Sequence, residues 1–303
     1  MRPQRAFVRR WRFWVAVLPW GWLLLFFALP FAVIVGVSLS TPELSVPPYL
    51  SPLRPALGGG APAFVPDLAS WQRLATDTQV LRAYAGSLAL AAATTLACLL
   101  IGYPFAYHIA RSREATRQTL LMLVMLPFWT SFLLRVYAWM GLLDSSEVGL
   151  LNQALLRLHL VEQPLQLLYT RGAVLVGMVY SYLPFMVLPL YANLVKLDGR
   201  LLEAARDLGA TPWTIFVRVT LPLSRRGIVA GSMLVFIPAV GEFVIPDLLG
   251  GGDVLMIGRR IWDDFGPNQD WPMASAVAVA MVLLLIVPIF VLQRHGRDPG
   301  GPR

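Results

Sequence analysis

One lysine, one cysteine and three histidines occur in 303 residues, and only 14% of the chain is charged, against about a quarter in an average soluble domain. Each scarcity excludes something. With Cys98 alone, neither an internal disulfide nor a cysteine-based metal site can form. His108, His159 and His295 fall in different loops without ligand spacing, so they read as structural or solvated groups. A P-loop needs a Gly-rich turn ahead of its lysine, and Lys196 follows Leu194-Val195 instead, so no nucleotide is hydrolysed by that device here. No Ser/His or paired-His constellation lies within the apolar runs, which argues against an intramembrane enzyme. The net charge of +8 is spread over several short loops and not gathered on one domain, which argues against nucleic acid as a partner.

What is abundant is apolar side chain, 57% of the whole. Six long runs emerge: Phe13 to Val37, Ala83 to Tyr107, Gln118 to Leu134, Gly172 to Val195, Gly227 to Gly241, and Pro272 to Gln293. The third continues past Arg135 to Leu143, and the fifth past Glu242 to Ile245. About 20 apolar residues at about 1.5 Å rise cross a hydrocarbon core of about 30 Å. Lipid offers no partner for a free backbone amide, so each run is predicted to be helical, and ten-residue alternating barrel strands are absent. The expected fold is an all-α integral membrane protein with six transmembrane helices. Pro30, Pro104, Pro184, Pro238 and Pro288 fall inside the runs and predict kinks. The first run is much longer than the h-region of a signal peptide and reads as an uncleaved anchor.

Basic residues set the expected orientation. With the N-terminus cytoplasmic, 17 of the 25 Lys and Arg fall on that side, among them Arg111, Arg113, Arg117, Lys196, Arg200, Arg206, Arg218, Arg225 and Arg226. Only five of the 17 acids accompany them. The resulting division is a cytoplasmic N-terminus over 1–12, a six-helix domain over 13–293 with an outer loop at 38–82 and a cytoplasmic loop at 196–226, and a cytoplasmic tail over 294–303.

Among the loops, Thr41 to Pro66 holds seven prolines and the run Gly58 to Gly60, a composition expected to resist both helix and strand. Asp67 to Arg82 predicts a short interfacial helix, and Leu150, Leu151, Ala154, Leu155 and Leu158 make one apolar stripe suited to the membrane surface. Lys196 to Arg226 is the most informative stretch. Asp198 is placed to cap a helix through Leu208, and Gly209 to end it in the left-handed conformation. Thr211-Pro212 restarts a helix, which Leu221-Pro222 is expected to stop. Two short helices hinged on a glycine predict a rigid knob.

That segment reads Glu203-Ala204-Ala205, three residues, Gly209, nine residues, then Val219, Leu221 and Pro222. It resembles the signature of binding-protein-dependent ABC importer permeases, with Val219 where isoleucine is usual. The resemblance extends over most of Ile101 to Val291. Leu126 to Trp139, Leu183 to Tyr191 and Gly241 to Gly251 are similar to segments of polyamine permeases, the last nearer the putrescine than the spermidine type. It implies a type I (MetI-like) permease fold, ATP bound and hydrolysed by separate ABC ATPase subunits, and no cofactor on this chain. A second permease subunit and a periplasmic polyamine-binding protein are the other implied partners. Glu203, Ala204, Ala205, Gly209, Leu221 and Pro222 are the implied ATPase-coupling residues. Without the resemblance, kinked helices with intramembrane charge also suit an ion-coupled carrier, although such carriers often show more helices and an internal repeat.

A charge near a membrane centre costs about 3 kcal/mol, so intramembrane ions are rarely idle. Arg135 and Glu242 are the two candidates; they either lock to each other, or Glu242 meets an ammonium group in transit. A diamine path needs carboxylates and aromatic faces. Asp247, Asp253, Asp263, Asp264 and Asp270 supply the former, and Trp129, Tyr137, Trp139, Tyr180 and Tyr182 the latter, although packing or an interfacial belt accounts for such rings as well.

Overall fold

A computed structural model describes residues 15, 17–54 and 63–296. The Arg-rich start, Gly58 to Gly60 and the last seven residues lie outside them. Four helices are long and apolar enough to cross a membrane: α1 (Val17–Ser38), α3 (Thr78–Arg111), α7 (Arg171–Leu194) and the span Trp271–Val291 of α13 (Trp271–Gly296). Two bent helix pairs bring the number to six if each is one crossing: α4 (Glu114–Met125) and its 3₁₀ turn Leu126–Trp129 with α5 (Phe132–Leu143), and α9 (Pro212–Leu223) with α10 (Arg225–Val240). Shorter helices are α2 (Ala69–Thr76), α6 (Leu150–Arg157), α8 (Gly199–Asp207), α11 (Val244–Gly250) and α12 (Ile257–Phe265). The all-α membrane fold thus follows the hydropathy pattern.

The chain divides into two compact units, one of residues 1–78 with 261–282 and one of 79–260 with 283–303. In the first, α1 keeps Trp20, Trp22, Leu24 and Phe27 more than half exposed, as a lipid-facing helix would. The proline-rich stretch forms strand after all, in two minimal antiparallel ladders: β1 (Thr41–Pro42) with β2 (Tyr49–Leu50), and β3 (Leu53–Arg54) with β4 (Ala63–Phe64). Ladders of two residues need so few donors that even Pro42, inside β1, does not interfere. Arg73 pairs with Asp270 at 2.8 Å, and Trp271 stacks on Phe265 with centroids 4.8 Å apart. The interfacial helix predicted over Asp67 to Arg82 is shorter: Asp67 Oδ1 accepts from the Ala69 amide at its start, and extended Asp77 separates it from α3, which takes residues 78–82.

In the second unit α7 is the central post. The oily driving force for association is missing in lipid, so close backbone approach through small residues has to supply it. Gly227 and Gly231 of α10 lie so near α7 that an added Cβ would sit 2.8 Å from Asn193 Cβ and 2.7 Å from Met186 Sδ. Those pairings run antiparallel. On another side α3 runs parallel to α7, with Gly102 against Met186 and Val187, and Thr94 Oγ1 3.9 Å from Met178 Sδ. Gly177 takes Leu249 and Ile245 of α11 in the same manner.

Two runs depart from expectation. The third breaks at Thr130-Ser131 with an 89° bend, because Pro127 has no amide to continue the α ladder and the Thr130 hydroxyl bonds back to the Pro127 carbonyl at 2.9 Å. The fifth stops at Val240, not Ile245, leaving Glu242 in a gap before α11. α9 ends at Leu223, one residue after Leu221-Pro222, where the chain bends by 64° around Ser224; a π turn over Phe216–Thr220 has already shifted the ladder, so the missing amide of Pro222 costs little within it. The stripe on α6 stays exposed, with Leu150 and Leu158 above half, while polar Asn152 is fully buried. Its amide donates to the Asp144 and Leu165 carbonyls, and its oxygen accepts from the Leu165 amide, each at 3.0 Å.

Candidate functional site

The knob forms largely as its sequence dictates. Asp198 Oδ1 accepts from the Arg200 amide at 3.0 Å and opens α8. At the other end Gly209 has φ +79°, the Gly209 amide bonds the Arg206 carbonyl at 2.8 Å, and the Ala210 amide bonds the Ala205 carbonyl at 3.0 Å. These two bonds are a complete Schellman cap, which fixes the angle at which the chain leaves. Thr211 Oγ1 then accepts from the Thr214 amide at 3.2 Å, and Pro212 opens α9. Glu203, Ala204, Gly209, Leu221 and Pro222 are exposed and Ala205 is half-buried, while Leu202 and Ile215 turn inward. Leu208 and Trp213, at 89% and 73% exposure, are the barest large apolar groups of the knob. The signature does not name them; position beside a left-handed glycine and a helix-starting proline was the available signal.

Phe216 ties the knob to the spans. Its ring meets Tyr103 edge-on at 5.5 Å and Tyr107 at 6.5 Å, and the Tyr103 hydroxyl lies 2.8 Å from that of buried Ser224, at the bend. Sequence reasoning missed this contact because residues 103 and 216 share no local pattern.

The intramembrane charges are resolved differently from a lock. Glu242 occupies the gap between α10 and α11. Its Oε1 accepts from the amides of Val244 at 3.0 Å and Ile245 at 3.4 Å, capping α11, and its Oε2 accepts from the buried Tyr182 hydroxyl at 2.5 Å. The gap can be this tight because Gly258 backs it: an added Cβ there would meet the Gly241 carbonyl oxygen at 2.4 Å. Arg135 belongs to a separate cluster. Its guanidinium carbon lies 5.6 Å and 5.7 Å from the ring centroids of Phe128 and Phe132, and Nε and Nη1 are buried without a hydrogen-bond partner among the described residues. Among the described residues no ion pair joins it to Glu242.

Aromatic rings connect the two clusters. Phe128 meets Phe185 edge-on at 5.1 Å, and Phe185 lies 6.3 Å from Tyr182, so a row of rings runs from the guanidinium to the carboxylate. Phe128 and Phe185 were not singled out from the sequence; only their repeated placement beside prolines hinted at it. Trp139 meets Tyr180 edge-on at 5.5 Å beside a recess of about 240 Å³ that Arg135 also lines. Trp129 and Tyr137 are mostly exposed and join neither cluster. Asp247 pairs with Arg259 at 3.3 Å, Asp270 with Arg73, and Asp264 accepts from Asn268 at 3.0 Å, so three of the acids expected along a path are engaged locally.

Comparison with known proteins adds breadth. The chain is 46% identical over 211 residues to the spermidine/putrescine transport system permease protein PotB of Haemophilus influenzae, covering 70% of this chain and 73% of that one. Against the protein of the same name from Escherichia coli it is 38% identical over 277 residues, 91% of this chain and 94% of the relative. A chain of the bacterial transporter that imports the acidic polysaccharide alginate superposes with a TM-score of 0.69 at 18% identity, over 99% of this chain and 100% of that one. One chain of the MetNI methionine ABC transporter superposes at 0.53 with 20% identity, over 71% of this chain and 93% of that one. These two likenesses show the type I importer permease fold that the sequence led us to expect. Residues 99–295 match the model of the binding-protein-dependent transport system inner membrane component, and with the full-length relatives this shows that the chain belongs to that family.

Proposed function

We propose that this permease subunit passes polyamines, putrescine and spermidine foremost, across the inner membrane, driven by ATP hydrolysed on separate subunits. The observation that carries the reading is identity to spermidine/putrescine permeases over nine-tenths of both chains. The geometry agrees with it. A carboxylate has about four acceptor sites. Three on Glu242 are taken by Val244, Ile245 and Tyr182, which leaves one for an ammonium group. The edges and faces of Phe185 and Phe128 then suit a methylene stem, and Arg135 at the far end of the row repels a second cation. A dication is therefore held loosely, as a site that must also release requires.

In this reading both termini and the 196–226 loop are cytoplasmic, and the 38–82 loop is external. Exposed Glu203, Ala204 and Gly209, flanked by Leu208 and Trp213, dock on an ATPase subunit, with Leu221 and Pro222 in the stem of the knob. A second, different permease subunit completes the pore, and a polyamine-binding protein delivers from the opposite face. The test is uptake by the complete transporter in vesicles, supplied in turn with loaded polyamine-binding protein and with a binding protein for an anion. ATP-dependent diamine uptake is expected; stimulation by the anion carrier alone overturns the substrate. Disulfide capture between a cysteine at Leu208 and the ATPase tests the docking separately.

A further inference from the structure

A recess of about 420 Å³ opens beside the N-terminal ends of α3 and α7, where Arg82 and Arg171 stand over a slot floored by Gly86, Ala89, Ala93 and the irregular backbone at Leu255. Its two polar side chains are both guanidinium groups. Both are exposed, and among the described residues neither is paired with a carboxylate. Two like charges facing one recess repel each other, and an anion between them removes that cost. The floor below them is apolar, and Gly86 lets the Leu255 carbonyl approach so closely that an added Cβ would lie 3.1 Å from it.

Its depth follows from α3. Tyr103, bonded to Ser224 at the knob bend, is twenty-one residues beyond Arg82, which is about 31 Å at the α-helical rise. That equals the hydrocarbon thickness of a bilayer, about 30 Å. The two arginines therefore lie at the membrane face opposite the knob, and along α3 the slot descends roughly 16 Å from Arg82 to Ala93. A charged rim above an apolar slot, at headgroup level, is complementary to an amphiphile with an anionic head. Free phosphate would leave the slot empty.

We infer that this recess binds an anionic phospholipid, with its phosphate between Arg82 and Arg171 and an acyl chain along Gly86, Ala89 and Ala93. The site is independent of the polyamine reading. It is tested on the complete transporter, equilibrated with vesicles of phosphatidylglycerol and phosphatidylcholine, purified, and weighed intact by native mass spectrometry. The wild type should retain phosphatidylglycerol selectively. R82Q/R171Q should lower that retention about 30-fold, at roughly 1 kcal/mol per cation, while R82K/R171K keeps most of it. Ala89→Leu, which fills the slot and spares the charges, should also release the lipid. Equal retention by R82Q/R171Q and wild type, or no preference of the wild type between the two lipids, overturns the inference. So does efficient cross-linking of a cysteine at Ala89 to another subunit, which would mean that protein covers the slot.

Discussion

Replacing Glu242 with Gln separates charge from architecture at the helix gap. The Gln carbonyl retains the position of Oε1 and can still accept from the Val244 and Ile245 amides, which Glu242 holds at 3.0 Å and 3.4 Å. Its amide nitrogen replaces Oε2 and donates to the Tyr182 oxygen, which reverses that bond without opening the gap. What disappears is the negative charge and the acceptor left for an ammonium group. A hydrogen bond to a charged partner is worth about 1.5–3 kcal/mol, so the KM for diamine uptake should rise about 10- to 100-fold. Thermal unfolding of the purified complex should stay nearly unchanged. Tyr182→Phe is the counterpart: the carboxylate keeps its charge but loses a donor, so stability should fall by about 1–3 kcal/mol with a smaller effect on KM. Uptake kinetics in vesicles, read beside unfolding midpoints, decide the matter. Unchanged KM in E242Q together with a destabilised Y182F would reduce Glu242 to a helix cap and refute its place on the path.

Other positions give sharper contrasts between packing and function. Asn152→Ala strands the Asp144 and Leu165 backbone groups, at about 1–3 kcal/mol each, and should speed limited proteolysis between residues 144 and 170. Gly231→Leu drives a side chain into Met186 and its backbone, so the unfolding midpoint should fall by the equivalent of about 1–3 kcal/mol, or more if α10 is displaced. At Gly209 there is open space but a positive φ, so Gly209→Val strains only the backbone; expression should hold while ATPase stimulation by loaded binding protein drops. Arg135→Met removes buried donors that have no acceptor, so its unfolding midpoint should be equal to or above wild type even as transport changes.

Local rules made the knob legible. Capping by Asp198 and Thr211, proline at the start of α9 and the left-handed Gly209 each involve residues within four positions of one another, where side-chain chemistry decides backbone geometry. Hydropathy likewise located the spans, because lipid leaves a helix few alternatives. Breaks inside the spans were less visible. Averaged over a span, hydropathy passes over the short polar interruptions at Thr130-Ser131 and Glu242, and what breaks the helix there is hydrogen bonding, from Thr130 to Pro127 and from Glu242 to α11. Pairings over long separations were invisible: Glu242 finding Tyr182, Phe128 finding Phe185, and Tyr103 finding Ser224 depend on how helices are arranged around α7. Asn152 was overlooked for a different reason. A polar residue within an apolar stripe looks like the solvated face, yet it is the hub of its loop.

The 64° elbow at Ser224 has a mechanical consequence. Twelve residues of α9 make an arm about 18 Å long. An arm set at such an angle to its continuation behaves as a crank, converting a sideways push at its tip into torque on α10. With Phe216 seated against Tyr103 and Tyr107, the same stroke also bears on α3, so two spans turn from one handle.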